Sequence, residues 1–201
     1  MITDPKDIFE ENSKRCEKEI VKAGKVIESM GKYIQAVCIN SDLGMQGGPI
    51  CRPSLYQDLC APFIKKLCDF LHQNSDIKIF MHSCGSVKTF IPILIECGID
   101  ILNPVQIFAD NMNPKDLKKE FGNKMTFWGG GCDTQRVLPA GTTEEIRNHV
   151  RENINTFKPG GGYVFNQVHN IMGDIAPEKI IAMYDTAFKE SFYIAAEDKD
   201  H

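Results

Sequence analysis

The sequence predicts an α/β fold, the C-terminal portion of a (β/α)8 TIM barrel with about five βα units. Three observations carry that prediction. β-rich runs alternate with segments of helical periodicity, the pattern of parallel strands wrapped by helices. The G-x-G-x-x-G turn of an open doubly wound sheet does not follow the first strand-like run. Polar and soft-ligand side chains gather where strands end, which is where the βα loops of a barrel line one mouth. A closed barrel needs eight strands and typically about 250 residues, so 201 residues fall short of closure.

Taken in order, Asp4 to Met30 reads as a helix. Pro5 suits its first turn, Ile8, Phe9, Ile20, Val21, Ala23, Ile27 and Met30 recur at helical spacing, and Gly31 stops it. Tyr33 to Ile39 is a β-rich run that enters Asn40-Ser41-Asp42 and a glycine-rich loop to Pro49. A helix is expected from Pro53 to about Gln73 on the stripe Leu55, Leu59, Phe63, Leu67, Phe70 and Leu71. The next units are strand Ile77 to Met81 with helix Val87 to Cys97, then strand Ile99 to Val105 with helix Pro114 to Phe121. Strand Met125 to Trp128 runs into Gly129-Gly130-Gly131-Cys132-Asp133. Thr142 and Glu145 have capping-box spacing before the helix Glu144 to Phe157. Gly160-Gly161-Gly162 precedes the last strand, Tyr163 to Asn166, and so reads as a turn; Pro177 to Phe188 is the last helix. This places one domain over residues 1–190 and an acidic, frayed tail over 191–201.

Composition narrows the function classes. With 42% hydrophobic and 25% charged residues the chain is an ordinary globular one. A net charge of −4 argues against binding a nucleic-acid backbone. No apolar run approaches the roughly 18 residues that span a bilayer, and Met1 to Arg15 lacks the apolar core of a signal peptide. The expectation is a cytoplasmic protein with no nucleic-acid or membrane partner. Its eight cysteines should then stay reduced. Cys38, Cys60, Cys68 and Cys97 lie in apolar strand or helix patterns and read as inert core thiols, whereas Cys84 and Cys132 sit beside glycine at strand ends.

The strand ends give the candidate site: Asn40 and Asp42, His82 and Cys84, Gln106, Cys132 and Asp133, Asn166 and His169. Histidine and cysteine two residues apart at a turn can both face one zinc ion. A third protein ligand would come from Cys132 or His169. Asp42 and Asp133 read either as carboxylates facing a ligand or as turn caps. His72 and His149 read as solvated helix residues, and Trp128 as a wall.

These motifs resemble a known family. Phe165-Asn166-Gln167-Val168-His169-Asn170-Ile171, with Asp174, Pro177 and Glu178 after it, is similar to the C-terminal signature of the uroporphyrinogen decarboxylase superfamily. So is Trp128 to Gln135 with LPAGTTEEI following. Ser41-Asp42-Leu43-Gly44-Met45-Gln46 and His82-Ser83-Cys84-Gly85-Ser86 resemble the branch that holds the methylcobamide:thiol methyltransferases. The resemblance spans roughly Asp4 to Phe188 and implies a (β/α)8 barrel whose first units have no counterpart here. In the decarboxylases those units carry an arginine-rich segment and an aspartate that hold the tetrapyrrole carboxylates.

The resemblance implies, first, zinc-dependent methyl transfer from a methyl-corrinoid, presented by a corrinoid protein, to a small-molecule thiol. Metal ligands are then drawn from His82, Cys84, His169 and Cys132. Asp42 and His169 are the catalytic candidates, and Asn40, Gln46, Gln106, Asp133 and Asn166 contact substrate. The alternative it implies is cofactor-free porphyrinogen decarboxylation, with a tetrapyrrole substrate and an active-site histidine at His169. A third expectation follows from the strand count: a barrel fragment without independent activity, which self-associates or is completed by a second chain.

Overall fold

A computed structural model describes residues 4–193; the expected acidic tail lies, from residue 194 on, outside the described residues. Helix α1 (Pro5–Met30) starts on Asp4, whose carboxylate accepts the Lys6 backbone N–H, and ends at Gly31. Strand β1 (Ala36–Asn40) follows, then a small antiparallel hairpin, β2 (Gly44–Met45) with β3 (Gly48–Pro49). The helix expected over 53–73 is two helices, α2 (Pro53–Leu59) and α3 (Ala61–Asn74), broken at Cys60. Pro62 explains the break, because it has no N–H to continue the ladder and its ring crowds the preceding turn.

Strand β4 (Lys78–His82) leads through the short 3-10 turn Lys88–Phe90 into α4 (Ile91–Cys97). Pro92 again moves the α-helical start later than the apolar pattern alone suggests. The remaining elements are β5 (Ile101–Asn103), α5 (Pro114–Phe121), β6 (Thr126–Trp128), α6 (Val137–Ala140), α7 (Thr143–Phe157), β7 (Tyr163–Val164) and α8 (Pro177–Glu190). The capping box of α7 forms as expected, with Thr142 and Glu145 satisfying each other's backbone N–H.

Five parallel strands stand in the order β1-β4-β5-β6-β7, each unit adding one strand beside the last. That order is a run of right-sized βα units of a (β/α)8 barrel and contains no switch point of a doubly wound sheet. Alternation along the strands separates two faces. Ile79, Met81, Leu102 and Phe127 are buried beneath the helices, in a core they share with Leu71, Phe90, Leu94, Leu117 and Phe157. On the other face Phe80 and His82 are only half-buried, and Ala36, Cys38 and Asn40 of β1 are exposed. Cys38 is therefore not the core thiol its apolar run suggests. A second core joins α7 and α8 through Leu138, Ile146, Val150, Ile154 and Met183.

The outer edge of β1 has no neighbouring strand among the described residues. A cavity of about 410 Å3 opens beside it, between α1 and the α2–α3 pair, lined by Asn12, Arg15, Tyr56 and Phe63. No described helix is long and apolar enough to cross a membrane.

Candidate metal centre

Strand β4 delivers His82 at its last position, and the chain turns at once through Ser83, Cys84 and Gly85. The His82 Nε2 and the Cys84 Sγ stand 3.6 Å apart. His169 joins them: one ligand atom from each of His82, Cys84 and His169 lies within 4.8 Å of the other two. The two imidazole rings are tilted by 56° with centroids 6.4 Å apart, so they do not stack. His82 and Cys84 are half-buried and His169 is exposed, which leaves one side of the group open.

The turn that carries Cys84 is fixed from three directions. The Asp42 carboxylate accepts the Cys84 backbone N–H at 3.2 Å. The buried Gln106 accepts the Gly85 N–H through its side-chain oxygen at 2.8 Å. The Ser83 hydroxyl accepts the Leu43 N–H at 3.0 Å, and the Met45 carbonyl accepts the Ser86 N–H. Gly85 adopts φ +81°, and a Cβ there would lie 2.3 Å from the Gly44 carbonyl carbon. The hairpin and the Cys84 turn thus pass each other at a spacing that only two glycines permit. Burial pushes the Cys84 thiol up from its ordinary pKa, and the Asp42 carboxylate adds to the shift. A cation at this point would reverse that balance.

Behind His82 stands a residue the sequence reading passed over. The β4–β5 register sets Asn103 opposite His82, and the Asn103 side-chain oxygen lies 2.7 Å from the His82 Nδ1. Its amide nitrogen donates to the Trp128 carbonyl at 2.9 Å. The Trp128 ring meets Phe80 edge-on at 5.4 Å, which makes the wall expected of it.

His169 is placed from the other end of the sheet. The Val168 N–H donates to the Cys132 carbonyl, Gly131 N–H donates to the Asn166 carbonyl, and Val168 is fully buried. The Tyr184 hydroxyl of α8 holds Gln167 at 2.7 Å. His169 follows directly, on the far side of this anchored stretch.

The other candidates divide clearly. Cys132, the alternative third ligand, is not brought to the group. Its thiol is fully buried in the second core, where burial first and Asp133 second push its pKa up to about 12. Its carbonyl, not its sulfur, serves the site. Asp133 caps the turn after β6 by accepting the Gln135 and Arg136 N–H groups, and so takes the second of its two readings. Asn166 contributes its main chain, while Asn40 and Gln46 are exposed, Asn40 opposite His82 in the β1–β4 register. His149 is not solvated. Its Nε2 accepts the Asp133 N–H at 3.2 Å and faces the Asn153 amide at 3.1 Å, and burial lowers its pKa. His72 pairs with Asp100 at 2.9 Å.

The three-ligand group can hold a divalent cation of borderline softness. Two imidazoles and one thiolate are a zinc set. With Zn–N near 2.0 Å and Zn–S near 2.3 Å, a tetrahedral ion separates those two atoms by about 3.5 Å, close to the 3.6 Å found between His82 and Cys84.

Comparison with known proteins gives the wider context. The family model described as Uroporphyrinogen decarboxylase (URO-D) matches residues 25–189. A protein named methionine synthase from Methanocaldococcus jannaschii is 27% identical over 173 residues, which cover 86% of this chain and 51% of that protein. A uroporphyrinogen decarboxylase from Pseudoalteromonas translucida is 25% identical over 161 residues, 78% of this chain and 43% of that one. A solved methyltransferase from Methanosarcina mazei shares the fold at a TM-score of 0.64 and 16% identity, covering 87% of this chain and 47% of the other. The chain spans about half the length, or less, of the curated relatives it matches.

Proposed function

The chain belongs to the uroporphyrinogen decarboxylase family, and from that premise we propose that it is a methyltransferase-type member that holds zinc on His82, Cys84 and His169. The reaction class is methyl transfer from a methyl-corrinoid, presented by a corrinoid protein, to a small-molecule thiol. The observation that carries this reading is the convergence of two imidazoles and one thiol, with the His82–Cys84 pair already at the edge length of a tetrahedral zinc site. The relatives named methionine synthase and methyltransferase support the same class.

Zinc bound there would supply a positive centre that keeps a substrate thiol ionised at neutral pH. The chain's own residues do the rest. His82 and Cys84 form a rigid pair because Asp42 and Gln106 hold the intervening turn by its backbone N–H groups. His169 is exposed on the opposite side and leaves a solvent-facing approach. Phe80 and Trp128 give an apolar wall on the same sheet face as His82. Such a wall excludes water from one side of a bound thiol.

Zinc analysis of the purified protein tests this reading. About one zinc per chain is expected, lost in His82→Ala and Cys84→Ala. A metal-free protein that takes up no added zinc overturns it.

A second reading, porphyrinogen decarboxylation, is favoured by the relatives of that name. It requires cationic side chains for the substrate carboxylates, and the side chains that hold the Cys84 turn, Asp42, Ser83 and Gln106, carry none. Quenching of Trp128 fluorescence by coproporphyrin is its test. The edges of β1 and β7, which have no neighbouring strand among the described residues, also support completion of the barrel by a second copy or chain. A monodisperse monomer with low hydrophobic-dye binding contradicts that completion.

A further inference from the structure

We infer that Asn103 is the positioning residue of this centre: it locks His82 in the Nδ1–H tautomer and so aims the Nε2 lone pair at the metal position. The inference rests on the zinc reading above and specifies how one ligand is prepared for it. It follows from a count of donors and acceptors along one chain of groups. The Trp128 carbonyl can only accept, so the Asn103 atom 2.9 Å from it is the amide nitrogen. The amide is thereby oriented, and its oxygen is the atom 2.7 Å from His82 Nδ1. That oxygen can only accept, so Nδ1 carries the hydrogen. In a neutral imidazole the lone pair then sits on Nε2, the nitrogen 3.6 Å from Cys84 Sγ.

Each link is rigid. Asn103 is buried and is the last residue of β5, paired in register with His82 of β4. Trp128 ends β6, and the next residues are tied back: Gly130 N–H donates to the Pro104 carbonyl and Gly129 N–H to that of Val164. Three neighbouring strand ends therefore set one tautomer. Without Asn103, either His82 nitrogen could hold the proton, and in one of the two forms an N–H would point where the cation belongs.

The test uses the full chain with 15N-labelled histidine, in the wild type, Asn103→Leu and Asn103→Asp. Long-range 15N–1H spectra of the metal-free protein report the His82 tautomer, and titration with zinc reports affinity. The wild type should show Nδ1–H. Asn103→Leu should lose the fixed tautomer and bind zinc about 10–100-fold more weakly. Asn103→Asp keeps an acceptor facing Nδ1 but replaces the donor to the Trp128 carbonyl by a second oxygen, so it should retain the tautomer and recover part of the affinity lost in Asn103→Leu. An Nε2–H tautomer in the wild type overturns the inference whether or not the leucine variant folds. So does an Asn103→Leu protein with unchanged tautomer and affinity. Failure of the wild type to bind zinc refutes the metal reading alone, because the spectra of metal-free protein still decide the role of Asn103.

Discussion

Replacing Gly85 by alanine tests whether the backbone around Cys84, and not merely the presence of the thiol, makes the metal centre. At φ +81° a Cβ would sit 2.3 Å from the Gly44 carbonyl carbon, 2.5 Å from its oxygen and 2.7 Å from the Met45 nitrogen. Ordinary carbon–carbon contact is about 3.5–4.0 Å, so the two backbones must part by roughly 1.2 Å or more. The left-handed backbone conformation itself costs an alanine about 1–2 kcal/mol. Overpacking adds about 1–3 kcal/mol. The sum is about 2–5 kcal/mol, or a fall in melting temperature of roughly 4–20 °C for a domain of this size. Metal sites tolerate errors of only about 0.2 Å in ligand distance. A displacement several times larger at the residue next to Cys84 should therefore lower zinc affinity by well over tenfold. Gly47→Ala is the control: it lies on the same hairpin, and its nearest contact is an Asp110 oxygen at 4.0 Å. It should leave stability within about 0.5 kcal/mol of the wild type. Differential scanning calorimetry and zinc titration of the two variants decide the matter. A Gly85→Ala protein that melts and binds zinc like the Gly47→Ala control would refute the reasoning.

Other consequences are open to direct measurement. His149 accepts the Asp133 N–H only while neutral, and burial, partly offset by Asp133 and Glu152, lowers its pKa below the ordinary 6.5. The unfolded chain then binds the proton first, so stability is full above about pH 6.5 and falls as pH drops from there toward the depressed folded value. Melting temperatures of wild type and His149→Gln across that window should differ in slope, and parallel curves would count against the clamp. The Tyr163 hydroxyl is buried without a partner among the described residues, while its ring stacks on Phe157 with centroids 5.1 Å apart. Tyr163→Phe keeps the stack and removes an unsatisfied group, so urea denaturation should show a gain of about 1 kcal/mol; a clear loss would show that the hydroxyl has a partner after all. Stripping zinc with a chelator should lower the melting point, and free zinc at 100-fold its dissociation constant should restore about 2.7 kcal/mol. An unchanged melting curve in both directions would speak against a structural contribution from the ion.

Much of this architecture is legible in the chain because parallel strands between helices announce themselves by composition. The runs from Tyr33, Ile77, Ile99, Met125 and Tyr163 each overlap one of the five sheet strands, with β1 and β4 running one residue further than expected, to Asn40 and His82. Prolines account for the two main helix differences: Pro62 and Pro92 interrupt apolar stripes that look continuous by periodicity alone. The β2–β3 hairpin has two residues per strand, too few for any alternation to register. His82 and Cys84 are readable from their spacing, since a turn brings neighbours in sequence to one point. Asn103 is not, because its partner lies 21 residues away and only strand register joins them. His149 carries a signal that charge on its helix obscured. It stands three residues after Ile146 and four before Asn153, on the buried face of α7. Cys132 shows the limit of reading strand ends as mouths: the chain turns after β6 so that its carbonyl meets Val168 and its thiol enters the core.

Strand-end polar residues in this fold thus divide into groups that offer electron pairs to a ligand and groups that spend theirs on the loops. Asp42, Gln106 and Asp133 all turn an oxygen onto backbone N–H groups of a strand-end turn. The division explains the uneven rigidity of the centre. His82 and Cys84 are pinned by Asn103, Asp42 and Gln106 within one hydrogen-bonded assembly, at the separation an ion would impose. His169 is anchored through the stretch before it, by Asn166, Gln167 and Val168, and itself stays exposed. A cation that first meets the fixed His82–Cys84 pair has little reorganisation to drive there, and the adjustment falls on the His169 loop. The open side of the site is therefore also its adaptable side, which is where the thiol and methyl donor of the proposed reaction would enter.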